Sequence, residues 1–219
     1  MSIRKILPVA ASILALGLAG CITVFPKTKP AQLYRFGGEP SAAARPAAAS
    51  TRFTVLRGPT GFTRAAATDR ILTVNRQQAA YIAEARWLAP AATLFDEALQ
   101  RAFDASDGPA RLVQRTDVTR ADYVIRLDVR TFEARYDEAG KGAPTVVVQV
   151  RAVMARPSDR ALLGDKVFEG RSRAADNRVG AIVPAYDAAV GDVLGQIVAW
   201  TDQTGAASLA PRGSAGGGQ

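Results

Sequence analysis

The 219-residue chain holds a single cysteine, and it closes the tetrapeptide Leu18-Ala19-Gly20-Cys21. Ala19 and Gly20 are small, so a peptidase can reach the bond before Cys21, and the thiol there can take a thioether-linked lipid. Arg4 and Lys5 precede a stretch, 6–18, that is apolar or small throughout. That stretch has the length of a signal-peptide core and falls short of the ~20 residues a membrane-spanning helix needs. Residues 1–20 therefore read as a lipoprotein leader cut between Gly20 and Cys21. Cys21 becomes the first mature residue and carries a diacylglycerol and an N-acyl group (a palmitate, for example). An ordinary secretory signal with a chance cysteine, or a short membrane anchor, is the plainer alternative. One acyl chain holds a protein to a bilayer only marginally, whereas several hold it stably. Ile22 follows the cysteine, where an Asp would resemble the inner-membrane retention signal of enterobacterial lipoproteins. The expected address is the inner leaflet of the outer membrane, facing the periplasm.

Other chemistry is scarce. The chain has no histidine, and its one thiol is taken by the anchor. Ser-His and Cys-His catalysis are excluded, as are zinc sites of the usual His/Cys kinds and a disulfide within one mature chain. Gly216-Gly217-Gly218 lacks the Gly-Lys-Ser/Thr of a phosphate-binding loop. Asp122, Asp128 and Glu133 could in principle supply a carboxylate pair for glycoside hydrolysis, but Asp128 sits between Arg126 and Arg130 and reads as surface charge pairing. No enzyme, metal site or cofactor beyond the lipid is expected. The formal charge is +8, mostly from arginine. A base-composition bias explains that simply; an acidic partner or anionic headgroups would explain it more sharply. No nucleic-acid-binding motif is present, and an extracytoplasmic address argues against such a partner.

The elements that must carry these residues follow from periodicity. Residues 21–31 hold two prolines and two lysines and read as a tether; 32–36 is a short alternating first strand. Residues 37–50 are mostly Gly, Pro, Ala and Ser with little to bury, a flexible insert. Strands are expected at 53–56, stopped by Gly58-Pro59, and at 70–74 and 79–83. A helix over 88–103 places Leu88, Ala92, Phe95, Leu99 and Phe103 on one stripe, with Pro90 in its first turn. A short strand at 111–114 follows. Tyr123, Ile125, Leu127 and Val129 alternate with polar or outward residues, and the phase then shifts to Phe132, Ala134 and Tyr136, which predicts a bulge near Thr131. Strands at 145–154 and 162–171 complete an antiparallel meander. A last helix starts at Pro184, with Tyr186, Val190, Val193, Ile197 and Trp200 on one stripe. Its neighbouring small residues Ala188, Gly191, Gly195 and Ala199 suit close packing on the sheet or, alternatively, a helix–helix contact in an oligomer. Residues 204–219 read as a disordered tail. The sum is an α+β, two-layer domain over 32–203, a mostly antiparallel sheet with two main helices on one face.

Five landmarks stand in order along this frame: Leu18-Ala19-Gly20-Cys21; Tyr34-Arg35-Phe36; Ile71 to Trp87, closed by Arg86-Trp87; Phe132-Glu133; and the helix ending Ile197-Val198-Ala199-Trp200. On these the chain resembles the ABC-type transport auxiliary lipoproteins, the PqiC-like family, over most of residues 18–202. The insert at 37–50 and the glycine-rich tail depart from the family pattern.

The resemblance implies a non-enzymatic part beside an ABC permease, its ATPase and a periplasmic MCE (mammalian cell entry) protein. Such machinery moves phospholipid or other hydrophobic molecules between inner and outer membranes. A docking adaptor is the implied role, and a groove for a lipid tail is the other mechanism such a protein could use. A ring or other homo-oligomer would suit a ring-shaped MCE assembly. The residues put forward for partner or lipid contact are Tyr34, Phe36, Arg86, Trp87 and Trp200, though the two tryptophans read first as core anchors. The contrasting role is scaffolding or regulating another envelope machine, for cell-wall synthesis or secretion.

Overall fold

In the computed structural model the described residues are 30–38, 52–117, 120–136 and 142–209. The leader, Cys21 and nearly all of the tether and insert lie outside them. In chain order the strands are β1 (Gln32–Tyr34), β2 (Phe53–Arg57), β3 (Gly61–Phe62), β4 (Arg70–Asn75), β5 (Gln78–Trp87), β6 (Ala110–Val113), β7 (Tyr123–Tyr136), β8 (Thr145–Ala155) and β9 (Leu162–Arg173). Helix α1 (Ala91–Asp104) lies between β5 and β6, and α2 (Val179–Leu209) follows β9.

Strand β7 is the hub. Along one side it pairs antiparallel with β8 over its whole length, and β8 pairs antiparallel with β9, which is the expected meander. The ladder slips between Val129 and Thr131, where the apolar phase of the sequence shifts. Without that extra residue Phe132 and Ala134 would face solvent; with it they join Ile125, Leu127 and Val129 in the core. Along its other side β7 takes three short parallel partners in turn. Val55 of β2 aligns with Tyr123, Gly61 of β3 with Asp128, and Thr73 of β4 with Ala134. β6 is parallel to β2, and β1 is parallel to β5. The long ladders are thus antiparallel and the short ones parallel, which makes the sheet mixed. Strands of two to six residues at distant points of the sequence carry no signal of their partner's direction.

Both helices cover one face. α1 buries Ala91, Leu94, Phe95, Ala98, Leu99 and Phe103, the i, i+3, i+4, i+7 spacing of a single stripe. Leu88 lies outside it, three residues before the first helical residue and 59% exposed, because Pro90 stands at the N-cap and the chain before it belongs to β5. α2 begins at Val179, five residues before Pro184. The turn before the proline is held by Arg178 O, which accepts from the N–H groups of Ala181 and Ile182, and by Ile182, which is buried. Pro184 itself lies inside the helix on its exposed side, in the second turn.

The helix also runs past the expected end at 203, to Leu209. Gly205 is the reason. A Cβ there would sit 2.2 Å from Phe53 Cζ, so only glycine lets the helix close on β2. Tyr123 Oη donates to Gly205 O at 3.2 Å, and Ser208 Oγ lies 2.6 Å from the same hydroxyl. A run of small residues that reads as tail is docked as helix up to Leu209; 210–219 lie outside the described residues.

The small face of α2 also departs from expectation. Ala188, Gly191, Gly195 and Ala199 are exposed, and nothing lies within 4 Å of a Cβ placed on either glycine. The sheet is met instead by Tyr186, Ala189, Val190, Val193 and Ile197, all buried. The close approach comes from the strand: a Cβ on Gly170 of β9 would stand 2.4 Å from Ala189 O. By length and composition α2 could cross a membrane, but half of its most apolar window is buried in this fold.

The core has an aromatic centre. Phe36 lies edge-on to Trp87 at 5.0 Å, Trp87 edge-on to Tyr186 at 5.1 Å, and Phe132 touches Tyr186 at 5.0 Å and Phe36 at 5.2 Å. Phe62 bridges Phe132 to Phe95 of α1.

Candidate functional site

The short strand β1 brings two of the sequence landmarks together. Tyr34 aligns with Trp87 of β5, and Leu88 N–H donates to Tyr34 O at 2.7 Å. Phe36 continues from β1 into the aromatic centre. It is 1% exposed and Trp87 2%, so both are structural and offer no surface to a partner. Tyr34 is half-buried, and its hydroxyl donates to Gln32 Oε1 at 2.5 Å. Arg86 is on the surface but engaged, with Nη1 2.7 Å from Asp69 Oδ2. The 37–50 insert begins in a fixed position: Asp187 Oδ1 of α2 accepts the N–H groups of Gly37 and Gly38 at 2.7 and 3.1 Å. Both glycines have positive φ, and a Cβ on Gly37 would lie 2.5 Å from Ala98 Cβ, so two residues of that insert are bound to both helices. Residues 39–50 lie outside the described residues.

Trp200 is elsewhere. It is half-buried on α2, edge-on to Phe168 of β9 at 5.7 Å, above Gly164. It shares no ring contact with Trp87. Five residues put forward as one contact set therefore divide into a corner (Tyr34, Phe36, Arg86, Trp87) and a separate seat on β9.

The three carboxylates each have a partner of their own. Asp122 Oδ2 accepts from Thr54 N and Thr54 Oγ1 at 2.8 and 2.9 Å and closes the start of β7 onto β2. Asp128 lies 3.4 Å from Arg130, and Glu133 2.7 Å from Arg135. Each is taken by a separate partner on the open face of the sheet. Among the described residues no three His, Cys, Asp or Glu side chains group as metal ligands would. The titration pattern is likewise that of a surface. Arg151 holds Asp165 below the usual carboxylate range by a direct hydrogen bond, and Arg171 and Gln149 do the same for Glu169. Asp202, near the C-terminal end of α2, is pushed the other way by desolvation although Ala110 N–H donates to it at 3.0 Å.

Where β2, the start of β7, the β8–β9 turn and the end of α2 meet lies an open depression of about 920 Å³. It is lined by Leu56, Tyr123 and Val124 on the strands, Arg156 and Pro157 in the β8–β9 turn, and Leu209 at the end of α2. Arg120 and Asp122 stand on its wall. Sequence reasoning gave no sign of it, since it forms only where four separated segments meet.

The sequence also missed Leu33 and Leu88. Each is 59% exposed, and each lies one residue from a landmark the sequence did single out. The signal was there in the period-2 alternation: if Tyr34 and Trp87 point inward, their neighbours point out.

Among solved structures the fold is similar to that of protein XCC0632 from Xanthomonas campestris, with a TM-score of 0.71 and 22% identity. That match covers 83% of this chain and all of the other. A second crystal structure, of an uncharacterized protein, matches with a TM-score of 0.61 and 11% identity over 78% of this chain and 99% of its own. At these identities the likeness is one of fold. No curated protein matches. The family model described as "ABC-type transport auxiliary lipoprotein component" matches residues 34–198, from the first strand to the last helix. The chain belongs to that family of ABC-type transport auxiliary lipoproteins.

Proposed function

We propose that this protein is a lipid-anchored accessory component of an ABC/MCE-type system that moves phospholipid or other hydrophobic molecules between the inner and outer membranes. Cys21 carries the lipid, the domain faces the periplasm from the inner leaflet of the outer membrane, and its part is to dock the MCE protein. The observation that carries this reading is the family match over residues 34–198, behind a sequence that reads as a leader ending at Gly20 and followed by Cys21. Supporting it, the acids of the open sheet face are individually paired, as a solvated surface requires. The open depression beneath Leu209 has arginine and aspartate on its walls and is not closed over. An acyl chain would need a more apolar and more enclosed cavity, so docking is favoured over lipid carriage.

The test is capture of the tagged, lipidated protein from crosslinked membranes, read by mass spectrometry. Co-recovery of an MCE protein with a permease and an ATPase is the expected result. Recovery of cell-wall or secretion components without an MCE protein would overturn the transport reading and leave a scaffold of another envelope machine.

A further inference from the structure

We infer that the corner made by β1 and the end of β5 is the surface on which the domain rests against the bilayer, with Leu33 and Leu88 seated among the headgroups. The inference rests on the lipoprotein reading above and adds an orientation to it. A single exposed leucine is ordinary on a protein surface. Here Leu33 stands on β1 and Leu88 directly after β5, bonded to β1 through Tyr34 O, at the point where the chain enters the fold.

The geometry fixes their direction. Tyr34 and Trp87 are an aligned pair of the parallel ladder, Trp87 is 2% exposed, and Tyr34 packs against the core. Alternation then sends Leu33 and its aligned partner Arg86 to the solvent side, and Leu88, the residue after β5, is exposed as well. Leu88 is tied beside Tyr34 by its N–H bond to Tyr34 O. The result is a small patch of two leucines interleaved with Arg35 and with Arg86, which is paired to Asp69. Leucine with arginine is the composition of a surface that sits at a lipid interface, the apolar chains inserted and the guanidinium groups at phosphate level.

Chain length lets this patch reach the anchor's own bilayer. Gln32, the first residue of β1, follows Cys21 closely, and even fully extended the stretch between them reaches at most about 40 Å. Leu33 is the second residue of that strand, so it is among the first groups of the domain that the lipid draws to the membrane. The intervening sequence carries Lys27 and Lys29 and no acid, which suits anionic headgroups. By contrast Leu162 and Val167, the exposed apolar residues of β9, lie on a strand separated from β1 by β5, β4, β7 and β8.

Acylation of the only cysteine makes the test clean. The full chain is expressed with its leader, purified and reconstituted into phosphatidylethanolamine–phosphatidylglycerol vesicles, as the variants L33C, L88C and V167C. Each introduced thiol takes an environment-sensitive fluorophore. These positions are exposed, and circular dichroism checks that the fold is kept. The expected result is a blue shift and at least about twofold quenching by brominated lipid at 33 and 88, with neither at 167. Labels at 33 and 88 that behave like the one at 167 would overturn the inference while the protein still floats with the vesicles. A blue shift without bromolipid quenching would put a second copy of this chain, the only protein in the vesicles, on the patch and also overturn it. Labelling of Cys21 itself, with no flotation, would instead overturn the lipoprotein reading, and this orientation with it.

Discussion

Strand β7 sends Ile125, Leu127, Val129, Phe132 and Ala134 to one side, each 3% exposed or less, and Arg126, Asp128, Arg130, Glu133 and Arg135 to the other. Its neighbours repeat the division. On the helix side β8 and β9 add Val146, Val148, Val150, Ala152, Met154 and Phe168. On the open side they add Arg151 with Asp165, and Arg171 with Glu169. One residue crosses the division: Val147 is 2% exposed on the open side, between its aligned partners Glu133 and Arg171. Long charged side chains can cover an apolar neighbour with their stems. The difference teaches where stability is stored. The helix side holds close-packed rings and branched chains, whereas the open side holds ion pairs in water, which contribute little each. A protein that must present a surface to a partner can vary the second without unsettling the first.

The largest break in this comparison should come from the aromatic centre. Trp87→Ala removes the ring between Phe36 and Tyr186 and is expected to cost about 3–5 kcal/mol. Thermal unfolding should fall by roughly 6–20 °C for a domain of this size. A loss comparable to that of an open-face substitution would show that the corner is not part of the core. Next is Gly170→Ala, where the added carbon meets Ala189 O at 2.4 Å and must lift α2 from β9. Overpacking of this kind costs about 1–3 kcal/mol, measurable by urea denaturation. Tyr186→Phe keeps the ring and loses only the buried hydroxyl's bond to Leu72 O, 2.9 Å away. Its cost should be about 1 kcal/mol, clearly below that of Trp87→Ala.

The smallest effect is expected on the open face. Arg151→Ala should shift the melting temperature least of the four, and the shift should vanish at high salt. The same face should govern the acid limb. Asp165 and Glu169 titrate below their usual range in the folded protein, so the stability they lend is complete above about pH 4 and is lost as pH falls through their folded values. Asp202 has the opposite sign. Its raised value favours the fold at low pH, and that gain is lost as pH rises through it. In a pH series of melting temperatures, D165N with E169Q should flatten the fall on acidification, and D202N should steepen it. The reverse pattern would place the acid sensitivity on the helix side.

How much of this could be read from the sequence depended on whether the deciding interaction was local. The meander, the bulge near Thr131 and the stripes of both helices follow from periodicity, which each segment carries within itself. The family followed from the order of weak landmarks. The partners of β1, β2, β3 and β6 could not be read, because strands this short are paired by residues far along the chain. Small residues misled twice, in opposite senses. Gly205 looked like tail and is an obligatory contact with Phe53, whereas Gly191 and Gly195 looked like contact and face solvent. A missing side chain tells nothing about what lies opposite. Four of the five candidate contact residues are aromatic, and that same property drew Phe36 and Trp87 inward; the exposed apolar positions were the aliphatic ones beside them.

The central place of β7 has a consequence for how the chain comes into being. β2, β3 and β4 all lie against β7, and β2 also against β6, yet all three precede β7 in the sequence. A chain emerging N-terminus first can close the β4–β5 hairpin but cannot complete the sheet until residue 123 and the strand after it are out. Non-local pairing of this kind slows folding. For a polypeptide that crosses a membrane as an extended thread, the delay is useful: the fold that would jam the passage depends on segments made last.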